Sequence, residues 1–464
     1  MKIRRLIAAT IVSAGATSAT GAWALSVPAD GAWHWFDSST PQQVTGLTCL
    51  DGSATGFAVD VPAGGGNGRL MIYLEGGGGC WDGSTAPCKT PPLPPLGFVA
   101  TTSYPFSNFQ SEMSGTGDIN FTTPFLWAKP QLAASGCTAN CSGRGIFDRS
   151  TGPANNPFAN YTYVFVPYCS GDLWQGSNTD THPLPFRHAA TVTNQAGTVV
   201  PATFHGAVNF ANVMAYVKAT FPAPPSIVLI GGSAGGMGTF FNYGALRAAY
   251  PTTAIPVTVI SDSAGGFWTG TPNPLLPSTW TRNGYFLHTP ATAPTASYLE
   301  DYWADAWNSV ATAQSLYPGL ATTQPAGSHA PFCRQQDIYL AAAAMHPTVD
   351  KFGMLMGSAD WLIPSFFNLQ TNPLFPSLPG ASPNTNDAIN DILINVVPTH
   401  SNVFALNVSS TLTPAPALNV ALGGLRPWSE HHTHLLDDVT LWTPMLAGGN
   451  GLLGFFQSMS IPSN

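Results

Sequence analysis

Six stretches of this chain are short, almost wholly apolar and rich in β-branched or aromatic residues: RLMIYL (69–74), YTYVFV (161–166), SIVLI (226–230), PVTVI (256–260), KFGMLM (351–356) and NVFALNV (402–408). A strand that faces water on one side alternates apolar with polar residues, whereas a strand covered on both sides is free of that alternation. The continuous runs therefore predict a sheet buried on both faces. Helices are expected to supply the cover. Between the second and third runs, FHGAVNFANVMAYVKATF sets Phe210, Val213, Met214, Val217 and Phe221 at helical spacing. After the third, GMGTFFNYGALRAAYP reads as a helix halted by Pro251, whose ring and missing N–H end it. Strand, helix, strand, helix gives parallel neighbours joined by crossovers. The expected class is α/β, with a mostly parallel central sheet, helices on both faces and long loop insertions.

The loops that follow these runs carry unusual chemistry: EGGGGC, PYCSGDLW, GGSAGG, SDSAGG and GSADW. In an open α/β sheet, ligands bind beyond the carboxyl ends of the strands. Five such loops are then expected to share one edge.

Composition limits the rest. A net charge of −8 argues against a nucleic-acid partner or an anionic membrane surface. Only 8% of residues are charged, beside 47 Gly and 42 Pro, which fits a loop-rich protein with a neutral surface. The 44% hydrophobic and 11% aromatic content argues for a packed globule rather than disorder. The N-terminus has a basic start (Lys2, Arg4, Arg5), a small and apolar stretch, and Ala22-Trp23-Ala24. That pattern predicts a signal peptide over 1–24, and hence a secreted protein, extracellular or periplasmic. Gly, Ser and Thr dilute the stretch too far for a stable membrane anchor, and no later stretch is expected to span a bilayer. The 464 residues show no internal repeat. Pro/Gly-rich stretches at 86–97, 271–279 and 371–384 read as surface loops, so 25–464 is expected to be one domain. Seven cysteines follow the signal: Cys49, Cys80, Cys88, Cys137, Cys141, Cys169 and Cys333. Export makes disulfides the default. Cys80/Cys88 and Cys137/Cys141 are near enough in sequence to close small loops, the odd count leaves one thiol over, and Cys137-x₃-Cys141 also admits a zinc reading.

Two phrases are near copies, IVLIGGSAGGMG (227–238) and VTVISDSAGGFW (257–268). Each puts a serine where a strand gives way to a turn. A nucleophile elbow needs small residues two before and two after the serine, because larger side chains collide across the turn. A helix must follow, so that its first N–H groups face the developing oxyanion. Ser233 has Gly231, Gly235 and a helix-like continuation. Ser263 has Ser261 at the first small position and is followed by FWTGTPNPLLP, which cannot make a long helix. Ser233 is therefore the expected nucleophile.

A serine hydroxyl needs a base, and a histidine base needs a carboxylate to fix its tautomer. Asp360, in MLMGSADW, follows the fifth run and suits the acid in the chain order Ser…Asp…His. Asp262, after the fourth run, is read instead as a structural carboxylate bonding loop amides. WSEHHTHLLDD supplies His431, His432 and His434, one of which is the expected base. The same His-His-x-His, with Glu430, Asp437 and Asp438, also admits a metal reading, and the remaining histidines also read as exposed loop residues. Bare backbone at Gly77 and Gly78, with the Ala234 N–H, can form an oxyanion hole. No G-K-[ST] follows the glycines, so a phosphate cradle is a weak reading.

Taken together, CLDG (49–52), LEGGGGC (74–80), VPYCSGDLWQG (166–176), FHGAVNF (204–210), GGSAGG (231–236), ISDSAGGF (260–267) and GSADW (357–361) resemble the pectin acetylesterase/Notum family of secreted serine esterases. The resemblance runs in order from about residue 49 to 361 and more loosely beyond. It implies an α/β-hydrolase-like fold, hydrolysis of a carboxylic ester, Ser233 as nucleophile, Asp360 as acid, and oxyanion donors at Gly77, Gly78 and Ala234. It also implies the disulfides Cys49–Cys169 and Cys80–Cys88; Cys137–Cys141 is then the local pairing left, with Cys333 free. His432 is preferred as base over His434 and His431 because His432-Thr433-His434-Leu435 resembles the His-Thr-x-Leu of bacterial relatives. Where family members carry a tryptophan after the first glycine pair, this chain has only Gly78 and Gly79.

The expected activity is a two-step acyl transfer without cofactor or metal, by a monomer, on O-acetyl groups of a polysaccharide. Tyr168, Trp174 and Trp361 are candidates to stack on sugar rings, or else to pack in core or rim. INFTTPFLWAKP (119–130) as an apolar lid would favour lipid acyl chains or polyesters instead. A non-catalytic binding protein on a hydrolase scaffold and a metal-dependent hydrolase are the readings from other classes.

Overall fold

All six apolar runs are strands. The computed structural model describes residues 24–77, 79–80, 145–150, 152–154, 156–178, 191–194, 196–262, 264, 307–322, 333, 335–357, 397–408 and 452–461. The runs become β3 (Leu70–Leu74), β4 (Thr162–Val166), β7 (Ile227–Gly232), β8 (Val257–Asp262), β9 (Lys351–Gly357) and β10 (Val403–Val408). Among the described residues two shorter strands, β1 (Trp33–Phe36) and β2 (Phe57–Asp60), join them in an eight-stranded sheet, and β5 (Thr191–Thr193) with β6 (Val199–Pro201) forms a separate antiparallel pair.

The sheet order is β1-β2-β4-β3-β7-β8-β9-β10. From β4 to β10 every neighbour is parallel, and β2 runs antiparallel to both β1 and β4. This is the mostly parallel, α/β-hydrolase-like sheet expected. Crossover helices explain the parallel order: α1 (Gly206–Thr220) leads into β7 and α2 (Ala234–Ala249) joins β7 to β8. Further on are α3 (Ser309–Leu316), α4 (Gln335–Met345) and the short α5 (Leu452–Ser458).

The strands lack polar alternation because both faces are covered. Leu70, Ile72 and Leu74 of β3, with Leu229, Val259 and Phe352, pack with Phe210, Val213 and Val217 of α1 and with Phe240 of α2. Met71 and Tyr73 point the other way, into a second core with Phe165, Ile230, Ile260 and, from α5, Phe455 and Phe456. Two buried faces are what a continuous apolar strand requires.

One polar knot crosses the first core. Asp350, fully buried before β9, accepts from Arg247 Nε (2.7 Å) and from the Val257 N–H (2.9 Å), and also from Arg247 Nη2 and the Tyr243 hydroxyl. Arg247 Nη1 donates to the carbonyls of Tyr250, Thr252 and Ile255. The end of α2 and the starts of β8 and β9 are thereby tied to a single ion pair.

The parallel register sets where the chemistry lies. Leu74 pairs with Val166 on one side and Gly231 on the other, Gly232 pairs with Asp262, and Asp262 with Leu355. The carboxyl ends of β4, β3, β7, β8 and β9 are thus adjacent along one edge, as the five motif loops require.

Candidate active site

Ser233 is the single residue between β7 and α2, and its backbone sits at φ 52°, ψ −119°. An L residue with positive φ is strained, because its Cβ crowds the neighbouring carbonyl oxygen. The surroundings hold it there. The Ser233 N–H donates to the Asp262 carbonyl at 2.8 Å, and the Ser233 carbonyl accepts from the Met237 N–H at 3.1 Å. The flanking glycines are required by space: a Cβ on Gly235 would lie 2.0 Å from the Leu74 carbonyl oxygen, and one on Gly231 would lie 2.5 Å from the Gly235 carbonyl carbon. Strand, strained serine and helix therefore meet with no room for larger residues. Ser233 itself is 7% exposed. It caps the N-terminus of a 16-residue helix, where the dipole favours developing negative charge.

The glycine-rich loop leaves β3 directly beside this turn, since the Leu74 and Glu75 carbonyls both abut Gly235. Gly77 lies over the Tyr168 ring, and a Cβ there would come within 2.4 Å of Tyr168 Cδ1. Glu75 is buried; its Oε2 accepts from the Tyr168 N–H (2.8 Å) and its carbonyl from Trp174 Nε1 (3.0 Å). The loop after β4 thus forms a floor under the loop after β3.

That floor corrects one expectation. Tyr168 and Trp174 are 0% and 1% exposed, so neither offers a face on which a sugar ring could stack. Their polar atoms are spent inside the protein, the Tyr168 hydroxyl accepting from the Leu173 N–H at 2.7 Å. Their rings lie against each other, with centroids 5.5 Å apart. Of the readings open for them, core packing is the one the structure gives.

Two buried acids at this edge were not singled out by the sequence reading. One is Glu75. The other is Asp172, whose Oδ1 accepts from the Ser170 hydroxyl (2.6 Å) and the Trp174 N–H (3.0 Å). Its Oδ2 accepts from the N–H groups of Gly176 (3.2 Å) and Gly206 (2.7 Å). Burial pushes the Asp172 carboxyl above the usual carboxylate range, against the pull of those hydrogen bonds. The signal was present in CSGDLWQG: an acid among small residues directly after a buried strand. Asp262 is also buried, and its carbonyl accepts from the Ser233 N–H.

Ser233, Ala234 and Gly77 are thus described at one edge. Gly78, Ser263, Asp360, Trp361, His431, His432 and His434 lie outside the described residues, although β9 ends at Gly357 on the same edge. Cys49 and Cys169 are disulfide-bonded, tying the segment before β2 to the loop after β4. Cys80 is also in a disulfide; Cys88, Cys137 and Cys141 lie outside the described residues. Cys333 is buried and free, and burial pushes its thiol up to about 12. Among the described residues no group of three or more His, Cys, Asp or Glu is placed to hold a metal ion.

A strained serine turn beside a glycine loop is a geometry that a family assignment can meet or miss. Residues 129–293 match the Pectinacetylesterase family. The match spans the SGD loop, α1, the Ser233 elbow and the second SAGG phrase, so the resemblance read from those motifs and the family model fall on the same residues. It supports a carboxylic ester hydrolase. No curated protein matches the chain. Among solved structures, one described as the Wnt deacylase Notum from Drosophila is similar at 20% identity and a TM-score of 0.41, covering 78% of this chain and 81% of that one. A likeness at that level fixes neither activity nor substrate. The Cys49–Cys169 disulfide fits an oxidising compartment, and among the described residues no helix is long and apolar enough to cross a membrane.

Proposed function

We propose that the protein is a secreted serine esterase, exported by the signal peptide at 1–24 and acting as a single domain over 25–464. The observation that carries the reading is the Ser233 elbow, a strained serine that caps a long helix beside a glycine loop. Strain at a nucleophile persists only where the surrounding structure over-determines it.

In the proposed reaction His432, oriented by Asp360, takes the Ser233 proton as Oγ attacks the ester carbonyl. Backbone N–H groups of Gly77, Gly78 and Ala234 receive the oxyanion. The alcohol leaves with a proton from the imidazolium, and water then releases the acid by the same steps in reverse roles. One such donor is worth about 3 kcal/mol of barrier in comparable sites. The proposed substrate is an O-acetylated polysaccharide, which the family's description favours; longer acyl or polyester substrates at the same serine are the alternative.

The test is direct. The wild-type protein is expected to hydrolyse p-nitrophenyl acetate and to be labelled by a fluorophosphonate, and Ser233→Ala is expected to lose both. A wild-type protein inert to both reagents would instead be a binding protein on this scaffold, and activity lost to EDTA would point to a metal-dependent hydrolase. Acid release from acetylated pectin and xylan, from longer p-nitrophenyl esters and from polyester film separates the substrate classes.

A further inference from the structure

We propose that Asp172 is a positioning residue for the oxyanion loop, acting through Tyr168 and Trp174 on the Glu75–Gly77 backbone; this rests on the esterase reading. The loop from Tyr168 to Gly176 holds an improbable shape: Gly171, Leu173 and Trp174 all have positive φ (64°, 53° and 64°). For leucine and tryptophan that conformation is strained. Asp172 directly precedes the two strained residues and holds the shape with four side-chain hydrogen bonds, from Ser170, Trp174, Gly176 and Gly206. A carboxylate offers two oxygens that can each accept from two donors, as in this knot.

The shape is then passed on. With Leu173 and Trp174 so turned, the Leu173 N–H meets the Tyr168 hydroxyl and Trp174 Nε1 meets the Glu75 carbonyl. Asn242 of α2 clamps the Trp174 carbonyl at 2.8 Å, linking the same loop to the helix that begins at the nucleophile. The Tyr168 N–H holds the Glu75 carboxylate, and the Tyr168 ring is the surface on which Gly77 rests. Tyr168 and Trp174 thus bear on the β3 loop at Glu75 and Gly77.

The Asp172→Asn variant tests this. It keeps the shape but has one oxygen; in either orientation its NH₂ faces a backbone N–H, that of Trp174 or those of Gly176 and Gly206. The expected result on p-nitrophenyl acetate, measured well below the variant's melting temperature, is a kcat loss of about tenfold to a hundredfold, part of what a whole donor is worth. KM is expected within about twofold, and fluorophosphonate labelling of Ser233 slowed in parallel with kcat. Tyr168→Phe leaves the ring under Gly77 but removes the acceptor for the Leu173 N–H; it is expected to lower kcat less, and the double variant to be non-additive. Wild-type kcat and labelling rate in folded Asp172→Asn, with only the melting temperature lowered, would overturn the inference and leave the esterase reading standing. If Asp172→Asn does not fold, wild-type kcat in Tyr168→Phe overturns it equally. A wild-type protein inert to ester and fluorophosphonate sinks the esterase reading, and the inference with it.

Discussion

Ser233 occupies a conformation that costs an L residue about 1–3 kcal/mol. Glycine has no Cβ to crowd, so Ser233→Gly is expected to be more stable than Ser233→Ala by about 1 kcal/mol. That inverts the usual order, in which glycine is the poorer residue by about 0.5–1 kcal/mol; urea melts of the two inactive variants check it. His205 gives a second prediction at this scale. It precedes α1, and neither ring nitrogen has a hydrogen-bond partner among the described residues. Burial lowers its pKa from the ordinary 6.5. The unfolded chain therefore takes up the proton first as pH falls. The stability due to neutral His205 is full above pH 6.5 and is lost as pH falls from there through the folded-state pKa. Melts of His205→Leu from pH 7.5 to 5 are expected to show a flatter decline than wild type; parallel declines would refute the assignment. The serine was legible in the sequence because its glycines announce a turn. The histidine was not, because whether an imidazole finds a partner depends on what the fold brings beside it.

The elements were legible where they are long and buried on both faces. The six apolar runs are strands to within a residue or two, and Phe210, Val213, Met214 and Val217 do line the buried face of α1. The short pieces were missed. β1 and β2 have four residues each and lie at the antiparallel end of the sheet, and β5 and β6 have three. So few residues cannot display a period, and they are strands because a neighbour is there to pair with. The same holds for the polar knot between elements, since Arg247 and Asp350 are 103 residues apart. Removing the acid strands a buried guanidinium, so Asp350→Ala is expected to cost about 3–5 kcal/mol. Arg247→Met with Asp350→Leu together should cost much less than Asp350→Ala alone, because no charge is left buried; denaturant melts of both check the contrast.

Across the whole molecule, the sheet edge gathers loops that are far apart in the chain, and a covalent link holds part of that edge. Cys49 and Cys169 close a loop with a sequence separation of 120. Chain entropy gives such a cross-link about 4–5 kcal/mol. The Cys49→Ala/Cys169→Ala protein is expected to melt at a clearly lower temperature than wild type, and reductant to lower the wild-type melt toward it. The class of fold, the parallel run of the long strands and the position of the strained serine turn were legible in the sequence alone, because these follow from local periods and from which residues tolerate a tight turn. It took the folded chain to make Tyr168 and Trp174 floor rather than binding face, and to bury Asp172 and Glu75 beneath the glycine loop. The bonds that make them so, from Tyr168 and Trp174 to Glu75, join residues 93 and 99 positions apart, and no local pattern encodes what the fold brings together at that distance.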